Sequence, residues 1–485
     1  MLKDLLHVAR PLGILLMAFS VAYMPPILLS LRDEDDALQP YLTGMAGNFG
    51  LGFLLWLVSR KHLRELKSRD GFLLVALTWT LLAAAAALPL MLGLGLSFTD
   101  AYFETMSGFT TTGATVIVGL DHIDRAHNLW RHELNWLGGL GIIGLAMAVL
   151  PLLGVGGMQV YRAEATGPIK DSRLTPRLVQ TARSLWLIYT GLTLACTAAL
   201  WVSGMNLFDA FCHAMAALSL GGFSTHDSSV GYFNSPLIEA ALMLFMLLAG
   251  INFATHFLAL RGKTLKPYWT DAEAIAMLLL VIGSCFALAF YIWIVGVYPS
   301  YLTALRYASF NLISVGLDGG FVNADYALWP MAAGLWILIL SCIAASAGST
   351  GGGIKMIRTL ILFKQSAREL TSLVHPNAVS TLKVGGQAVS DRTALSVFGF
   401  LHLYTISIIS LSMILMVSGL DAVTAFSAII STMNNAGPGL GIVGPAGTYQ
   451  PLNDFQTWVC TVAMLVGRLE VFVLVVLLTP TFWKD

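Results

Sequence analysis

Ten apolar runs, each close to the length of a membrane-crossing helix, constrain this chain more than any other feature. They begin near Pro11, Tyr41, Gly71, Leu134, Ser184, Ser235, Ala274, Trp329, Ala394 and Phe455. A hydrocarbon core about 30 Å thick takes roughly 20 helical residues to cross. Of the 485 residues, 56% are hydrophobic and 11% charged, against about 25% charged in a soluble protein. A chain so poor in charge cannot cover a water-facing surface. That excludes a string of soluble domains, intrinsic disorder, a disulfide scaffold and a basic nucleic-acid binder. The 46 glycines and 12 tryptophans suit spans and their interfaces. Cys196, Cys212, Cys285, Cys342 and Cys460 stand singly, with no CxxC pair, and read as small packing residues. The run 11–31 is too long for a signal peptide and is followed by acidic residues, so it reads as a retained first span.

Four shorter apolar stretches, near 98–112, 206–221, 304–317 and 421–436, each lead into a glycine-containing polar segment. Short helices that enter and return are tolerated at membrane depth only where protein or water covers their irregular backbone. Segments 1–10, 60–70, 162–183, 261–273, 355–392 and 484–485 hold 22 basic and 10 acidic residues. Segments 32–36, 99–133, 206–239, 306–325 and 421–454 hold 4 basic and 16 acidic. The positive-inside rule therefore expects a cytoplasmic N-terminus, with all four short stretches entering from outside. An acidic outer face attracts cations.

Setting Gly113, Gly222, Gly320 and Gly437 in register exposes an internal repeat. Twelve residues earlier lie Ala101, Ala210, Ala308 and Ala425; six earlier lie Ser107, Ala216, Ser314 and Ser431. The predicted architecture is an all-α polytopic membrane protein. Four units of span, short pore helix, glycine strand and span surround one central pore, with two extra transmembrane helices in front. The expected boundaries are 1–68 for that pair, then 69–165, 166–266, 267–385 and 386–485 for the four repeats. A desolvated monovalent cation needs a ring of oxygens, which backbone carbonyls from four converging strands can supply. Glycine permits the required backbone angles. Each glycine with the two residues before it gives the candidate cation-binding set: Thr111, Thr112, Gly113; Leu220, Gly221, Gly222; Asp318, Gly319, Gly320; and Asn435, Ala436, Gly437. Hydroxyls of Thr110, Thr111, Thr112 and Ser219 can add ligands or anchor the strands. Each short helix ends at its strand, turning a negative dipole end to the cation.

The strings Ser107-Gly-Phe-Thr-Thr-Thr-Gly113-Ala-Thr, Leu220-Gly-Gly-Phe-Ser-Thr-His-Asp227, Gly319-Gly-Phe-Val-Asn-Ala-Asp-Tyr326 and Asn434-Asn-Ala-Gly-Pro-Gly439 resemble the Trk/Ktr/HKT superfamily of potassium transporters, most closely the bacterial Trk membrane subunits. The resemblance covers nearly the whole chain, including the two N-terminal spans. It implies four potassium-channel-like repeats in one polypeptide, with glycine at all four filter positions as in the potassium-selective members. The third repeat is irregular. Ser314-Val-Gly316-Leu-Asp318 also resembles a filter string, so Gly316 competes with Gly320 for the register.

Two features lie inward of the strands. The run 329–347 breaks at Gly348, Ser349, Thr350, Gly351, Gly352 and Gly353, where consecutive glycines at about 1 kcal/mol each cannot sustain a helix. A P-loop reading fails because Ile354 holds the lysine position and no strand precedes it. Either the break is a passive hinge or, as the resemblance also implies, a mobile loop that obstructs the pore. Arg468 sits in the middle of the last span, with apolar sequence on either side, where an arginine must face protein or water. Either it pairs with a carboxylate on another helix, or it faces the pore and repels cations. The family has a basic residue in this repeat. His213, His256 and His402 read as packing or hydrogen-bonding residues.

No HExxH, paired-carboxylate or nucleophile motif points to an enzyme. A channel-like pore and a secondary symporter coupling potassium to protons or sodium both remain. Proton coupling ordinarily uses intramembrane carboxylates or histidines in series, and the spans offer little beyond Arg468, Glu470 and Glu239. The resemblance further implies a bacterial inner-membrane homodimer without a covalent cofactor. It also implies a cytosolic Trk regulatory subunit that binds NAD and adenine nucleotides, so any nucleotide sits on the partner. The basic loops 158–184 and 364–393 are candidate docking surfaces for that subunit or for anionic lipid.

Overall fold

A computed structural model of the chain describes residues 2–61, 68–148, 174–377 and 381–483. Most of the basic segment 162–183, and with it most of the docking loop 158–184, lies outside them. The N-terminal pair runs from Leu2–Phe19, through a 3-10 turn at Ser20–Tyr23, into Met24–Asp33, and returns as Leu38–Ser59. Their crossing is set by two glycines. A Cβ on Gly13 would lie 2.6 Å from Gly52 O, and one on Gly52 would lie 2.8 Å from Gly13 O. Small residues let membrane helices approach backbone to backbone. Asn48 Nδ2 then reaches Leu16 O at 2.8 Å and Ser20 Oγ at 2.9 Å.

Four units follow. Each starts with a long helix: Ser68–Leu94, Leu174–Val202, Ala272–Ile294 and Asp391–Val417. Each continues with a short one: Phe98–Phe109, Leu207–Ser219, Tyr301–Gly316 and Ala422–Asn434. The short helices start at the positions that the shorter apolar stretches predict, for a local reason. Ser97, Asn206, Ser300 and Asp421 each cap one, accepting the N–H three residues on with a side-chain oxygen. Such a cap satisfies an amide that has no intrahelical partner. The short helices are largely buried inside the ring of longer ones, as irregular backbone at membrane depth requires.

The closing helices depart from the ten straight spans that hydropathy suggests. Among the described residues, six helices are long and apolar enough to cross a bilayer, and two further spans are bent pairs. Pro236–Gly250 meets Phe253–Gly262 at 94°, and Asp454–Arg468 meets Glu470–Leu478 at 112°. The remaining two are Arg125–Ala148, which begins in charged residues, and Met331–Ile343, which stops after 13 residues. The Arg468 position is thus a correction. It is the last residue of a helix, not the middle of a straight one, and the chain turns at Glu470 with φ +58°.

Between 22% and 39% of the central window of each of the six straight spans is buried. The outward residues include Leu28, Leu54, Leu187, Leu279 and Val417. An apolar outer surface on long helices is what lipid demands.

Candidate ion pathway

Each short helix hands over to its glycine strand through the same two hydrogen bonds. The N–H before the glycine reaches back to the residue that the repeat alignment places six before it. Thr112 N donates to Ser107 O at 2.8 Å, Gly221 N to Ala216 O at 2.8 Å, Gly319 N to Ser314 O at 2.6 Å and Ala436 N to Ser431 O at 2.9 Å. One residue earlier, Thr111, Leu220, Asp318 and Asn435 donate to Gly108, Ala217, Val315 and Thr432 at 2.9–3.3 Å.

Backbone angles repeat as well. The glycines have φ of +78°, +68°, +68° and +86°, and the residues two before them +52°, +53°, +68° and +61°. Thr112, Gly221, Gly319 and Ala436, which lie between, are not left-handed. In an extended strand successive carbonyls alternate in direction, and alternating handedness turns them to one side. All four earlier positions are non-glycine; Asp318 and Asn435 are types that tolerate this region, whereas Leu220 and above all the β-branched Thr111 adopt it at a cost.

The strands close on one another. A Cβ on Gly113 would lie 2.3 Å from Gly221 O, one on Gly222 2.6 Å from Gly320 Cα, one on Gly320 3.2 Å from Ala436 O and one on Gly437 2.7 Å from Thr112 O. The contacts run through the repeats in order and return to the first. At the acidic end all four glycines line a depression of about 220 Å³. The fourth strand differs in one respect: Gly437 O accepts both Ser431 Oγ at 2.6 Å and Tyr449 Oη at 3.0 Å, so this carbonyl is held by protein.

Gly320 rather than Gly316 joins this ring, and the irregular third repeat has a simple origin. Cap to glycine spans sixteen residues from Ser97 to Gly113, Asn206 to Gly222 and Asp421 to Gly437, but twenty from Ser300 to Gly320. The third short helix has 16 residues where the others have 12, 13 and 13. That is one further turn. Gly316 ends this helix.

Behind the first strand lies an ion pair that the sequence reading missed. Arg131 Nε meets Glu104 Oε1 at 2.7 Å, with side chains 1% and 0% exposed. Glu104 also accepts Val116 N–H at 3.0 Å and the Thr115 hydroxyl. Arg131 Nη1 reaches Ser224 O at 3.1 Å, and its guanidinium lies 4.2 Å from the Phe223 ring centroid. The pair thus ties the strand of repeat one to that of repeat two. A buried carboxylate on a short helix was the available signal, but its partner arrives from another segment. Breaking a buried pair from one side costs about 3–5 kcal/mol. Arg131→Met and Glu104→Gln are each expected to lower the thermal unfolding midpoint in detergent sharply. A milder loss in the double variant, measured by the same melt, checks that the cost is the unpaired charge.

Asp227 and Asp325, which align in sequence, act differently. Asp227 crosses to repeat one, where its carboxylate accepts Gly119 N–H at 3.0 Å and Leu120 N–H at 3.0 Å. Asp325 caps its own turn through Ala327 N–H. His226 bridges Asp121 and Asp209 at the same mouth. Burial pulls its pKa down, but the hydrogen bonds it donates to these two carboxylates, with their negative charge, outweigh that and hold it above the ordinary histidine value. His213 bonds Asp209 O and Ser224 Oγ, and His256 bonds Tyr268 Oη and Leu248 O. His402 is exposed on its span. Among the described residues no group of three or more His, Cys, Asp or Glu could hold a metal ion.

Beneath the strands, Gly348–Gly353 form a loop between Met331–Ile343 and Met356–Val374. Its base is stapled. Glu273 Oε1 accepts Ala347 N–H at 2.5 Å and Ile357 N–H at 3.1 Å, while Ile354 N–H donates to Cys342 O at 2.7 Å. One side rests in the bend of repeat two, through Ser346 N–H to Gly250 O and Phe253 N–H to Gly348 O, each 3.1 Å. The tip reaches the ends of three short helices. Thr350 Oγ1 donates to Leu218 O at 3.0 Å and Gly352 N–H to Asp318 Oδ2 at 2.8 Å, while a Cβ on Gly352 would lie 1.9 Å from Asn434 O. Lys355 Nζ donates to Gly351 O. The loop is therefore bonded throughout, not held only by the absence of helix.

Arg468, 3% exposed, closes the arrangement by donating Nη1 to Thr350 O at 2.8 Å. Its Nε and Nη2 have no hydrogen-bond partner among the described residues. Glu470 pairs with Arg358 instead, at 2.6 Å. The structure thus brings Ser349, Thr350, Gly351, Gly352 and Arg468 under the strand residues Asp318 and Asn435.

Comparison with known proteins gives the same architecture a lineage. The chain is 44% identical over 484 residues to the Trk system potassium uptake protein TrkH of Escherichia coli K12, covering 99% of each. It is 45% identical over 485 residues to the protein of that name from Vibrio parahaemolyticus, again covering 99% of each. The crystal structure of the potassium transporter TrkH from Vibrio parahaemolyticus superposes with a TM-score of 0.92 at 42% identity, covering 99% of this chain and 100% of that one. A family model described as a cation transport protein matches residues 38–484. With that match over almost its whole length, this multi-pass membrane chain is no enzyme but belongs to the TrkH family of cation transport proteins.

Proposed function

We propose that the chain takes up potassium across the bacterial inner membrane through a channel-like pore selective for potassium and rubidium over sodium. The observation that carries this reading is the fourfold strand: two hydrogen bonds and one pair of left-handed positions, repeated in all four units. Converging carbonyls can replace the hydration shell of a monovalent cation. The relatives' names, which specify potassium, favour it as the cargo. The filter is Thr111–Gly113, Leu220–Gly222, Asp318–Gly320 and Asn435–Gly437, within repeats bounded at 69–165, 166–266, 267–385 and 386–485 behind the helix pair 1–68. Gly348–Gly353 and Arg468 form a gate below it. The acidic end faces outward and the N-terminus lies in the cytoplasm. A homodimer regulated by a cytosolic nucleotide-binding subunit completes the proposal, with the nucleotide on that subunit.

Proteoliposomes containing this chain alone, loaded and challenged with potassium, rubidium, cesium, sodium and lithium in turn, test the cargo. Potassium and rubidium are expected to exchange well ahead of sodium and lithium; equal fluxes of all five overturn selectivity. Resolvable unitary currents in a planar bilayer are expected of a pore. Potassium uptake that needs a proton or sodium gradient, without such currents, would establish a symporter instead.

A further inference from the structure

We propose that the Asp318 carboxylate is a cation-binding group at the inner end of the filter, cancelled by the loop while the gate is shut. This rests on the pore reading above. Thr111, Leu220, Asp318 and Asn435 occupy one station on the four strands, two residues before the ring glycine, and all four are left-handed. Their side chains are buried, at 1%, 0%, 0% and 0% exposure. Three of them carry an oxygen with no hydrogen-bond partner among the described residues: Thr111 Oγ1, Asp318 Oδ1 and Asn435 Oδ1. An unmatched buried oxygen costs free energy, and three at the same level of one ring point to a shared ligand that supplies positive charge. Asp318 alone among the four is an acid.

The loop tip lies between two of these groups. Gly352 N–H donates to Asp318 Oδ2 at 2.8 Å, and a Cβ on Gly352 would lie 3.2 Å from Asn435 Oδ1. The other carboxylate oxygen stays unmatched even then. When the loop withdraws, the N–H leaves with it, and both carboxylate oxygens face the ion path beside two neutral side-chain oxygens. That set suits an alkali cation and, because of its charge, suits a divalent ion of similar size still better. The backbone carbonyls above need no such group, so the site is separate from them in chemistry and in sidedness.

Barium, close to potassium in size with twice the charge, is the probe. Full-length protein in planar bilayers is exposed to barium from either side. Asp318→Asn and Asp318→Thr import the residues that repeats four and one already carry at this station, so both side chains are ones the ring accommodates. In each, the barium concentration giving half block from the loop side is expected to rise at least about tenfold, with block from the acidic mouth little changed. Asp318→Glu is expected to retain loop-side block. Unchanged loop-side sensitivity in both neutral variants overturns the proposal. If no variant and no wild-type protein conducts, the pore reading fails by itself, and the site is judged by rubidium-dependent thermal stabilisation in detergent. A smaller rise in unfolding midpoint for both neutral variants than for wild type sustains the site; equal rises overturn it.

Discussion

In Gly113→Ser, the preference for potassium over sodium is expected to fall at least tenfold, with Gly222→Ser close behind. Serine adds a β-carbon where the backbone has φ +78° or +68°, a region that costs a non-glycine residue about 1–3 kcal/mol. The greater obstacle is across the ring. At Gly113 the new atom would lie 2.3 Å from Gly221 O, and at Gly222 it would lie 2.6 Å from Gly320 Cα. Both neighbours are backbone and cannot swing aside as a flexible side chain would. Substitution therefore displaces the next repeat's strand as well as its own, a wider disturbance than local carbonyl geometry. At about 1.4 kcal/mol for each factor of ten, carbonyls displaced by that strain need give up only a small part of their preference between the two ions. Gly316→Ser is the contrast, because Gly316 lies on a helix with Leu340 Cβ 3.3 Å from an added Cβ. Competitive rubidium and sodium uptake into proteoliposomes reads all three. Wild-type preference in both Gly113→Ser and Gly222→Ser would remove these glycines from the ion path.

Gly352→Ala and Arg468→Ala are expected to raise potassium flux through the isolated chain, by routes that differ. An alanine at 352 would put its Cβ 1.9 Å from Asn434 O, so the loop tip cannot keep its seat against the fourth short helix. Alanine at 468 removes the bond to Thr350 O and a positive charge from below the proposed filter. For two unit charges 4 Å apart, repulsion reaches about 4 kcal/mol at an effective dielectric of 20. That corresponds to roughly a thousandfold in rate, an upper limit because Asp318 lies nearby and water screens the rest. Arg468→Lys should preserve most of the block, and Arg468→Gln should not. Rubidium uptake in vesicles of matched protein content is the measurement. Flux unchanged or lowered in both alanine variants, with normal expression and oligomeric state, would sink the two-part gate.

What the sequence made legible follows from the physics that repeats along it. Lipid writes itself into composition, so the straight spans are plain. The four glycines recur in register with the alanines twelve residues before them, so the short helices and their strands are plain too. The bends at Gly250–Asn252 and Arg468–Glu470 are not, because hydropathy has no direction and an apolar run reads alike whether straight or folded. Even there Asn252 left a trace, accepting Ala254 N–H as a helix cap inside an apolar run. Gly316 could compete with Gly320 in the sequence because the third short helix is one turn longer, which puts Gly316 sixteen residues after its cap, the interval that the other repeats show to their ring glycines. Arg131–Glu104 and the Glu273 staple join distant segments, and nothing local to either partner announces the other.

Glu273 holds both Ala347 and Ile357 through a single carboxylate oxygen, which makes the intervening segment a tethered ligand for the strand ends above it. On the proposed gate, obstruction is then an intramolecular association, and its strength depends on local concentration, which is millimolar for short flexible tethers. Contacts individually as weak as one hydroxyl on Leu218 O and one amide on Asp318 suffice at such concentrations. Closing a loop of about ten residues takes on the order of 10–100 ns, far shorter than the rearrangements of whole helices. The tip can therefore unseat and reseat many times while the helices around it stay in place. A partner that shifts Met356–Val374 would then act by changing the tether's geometry, and so the frequency of recapture, without having to touch the tip at all.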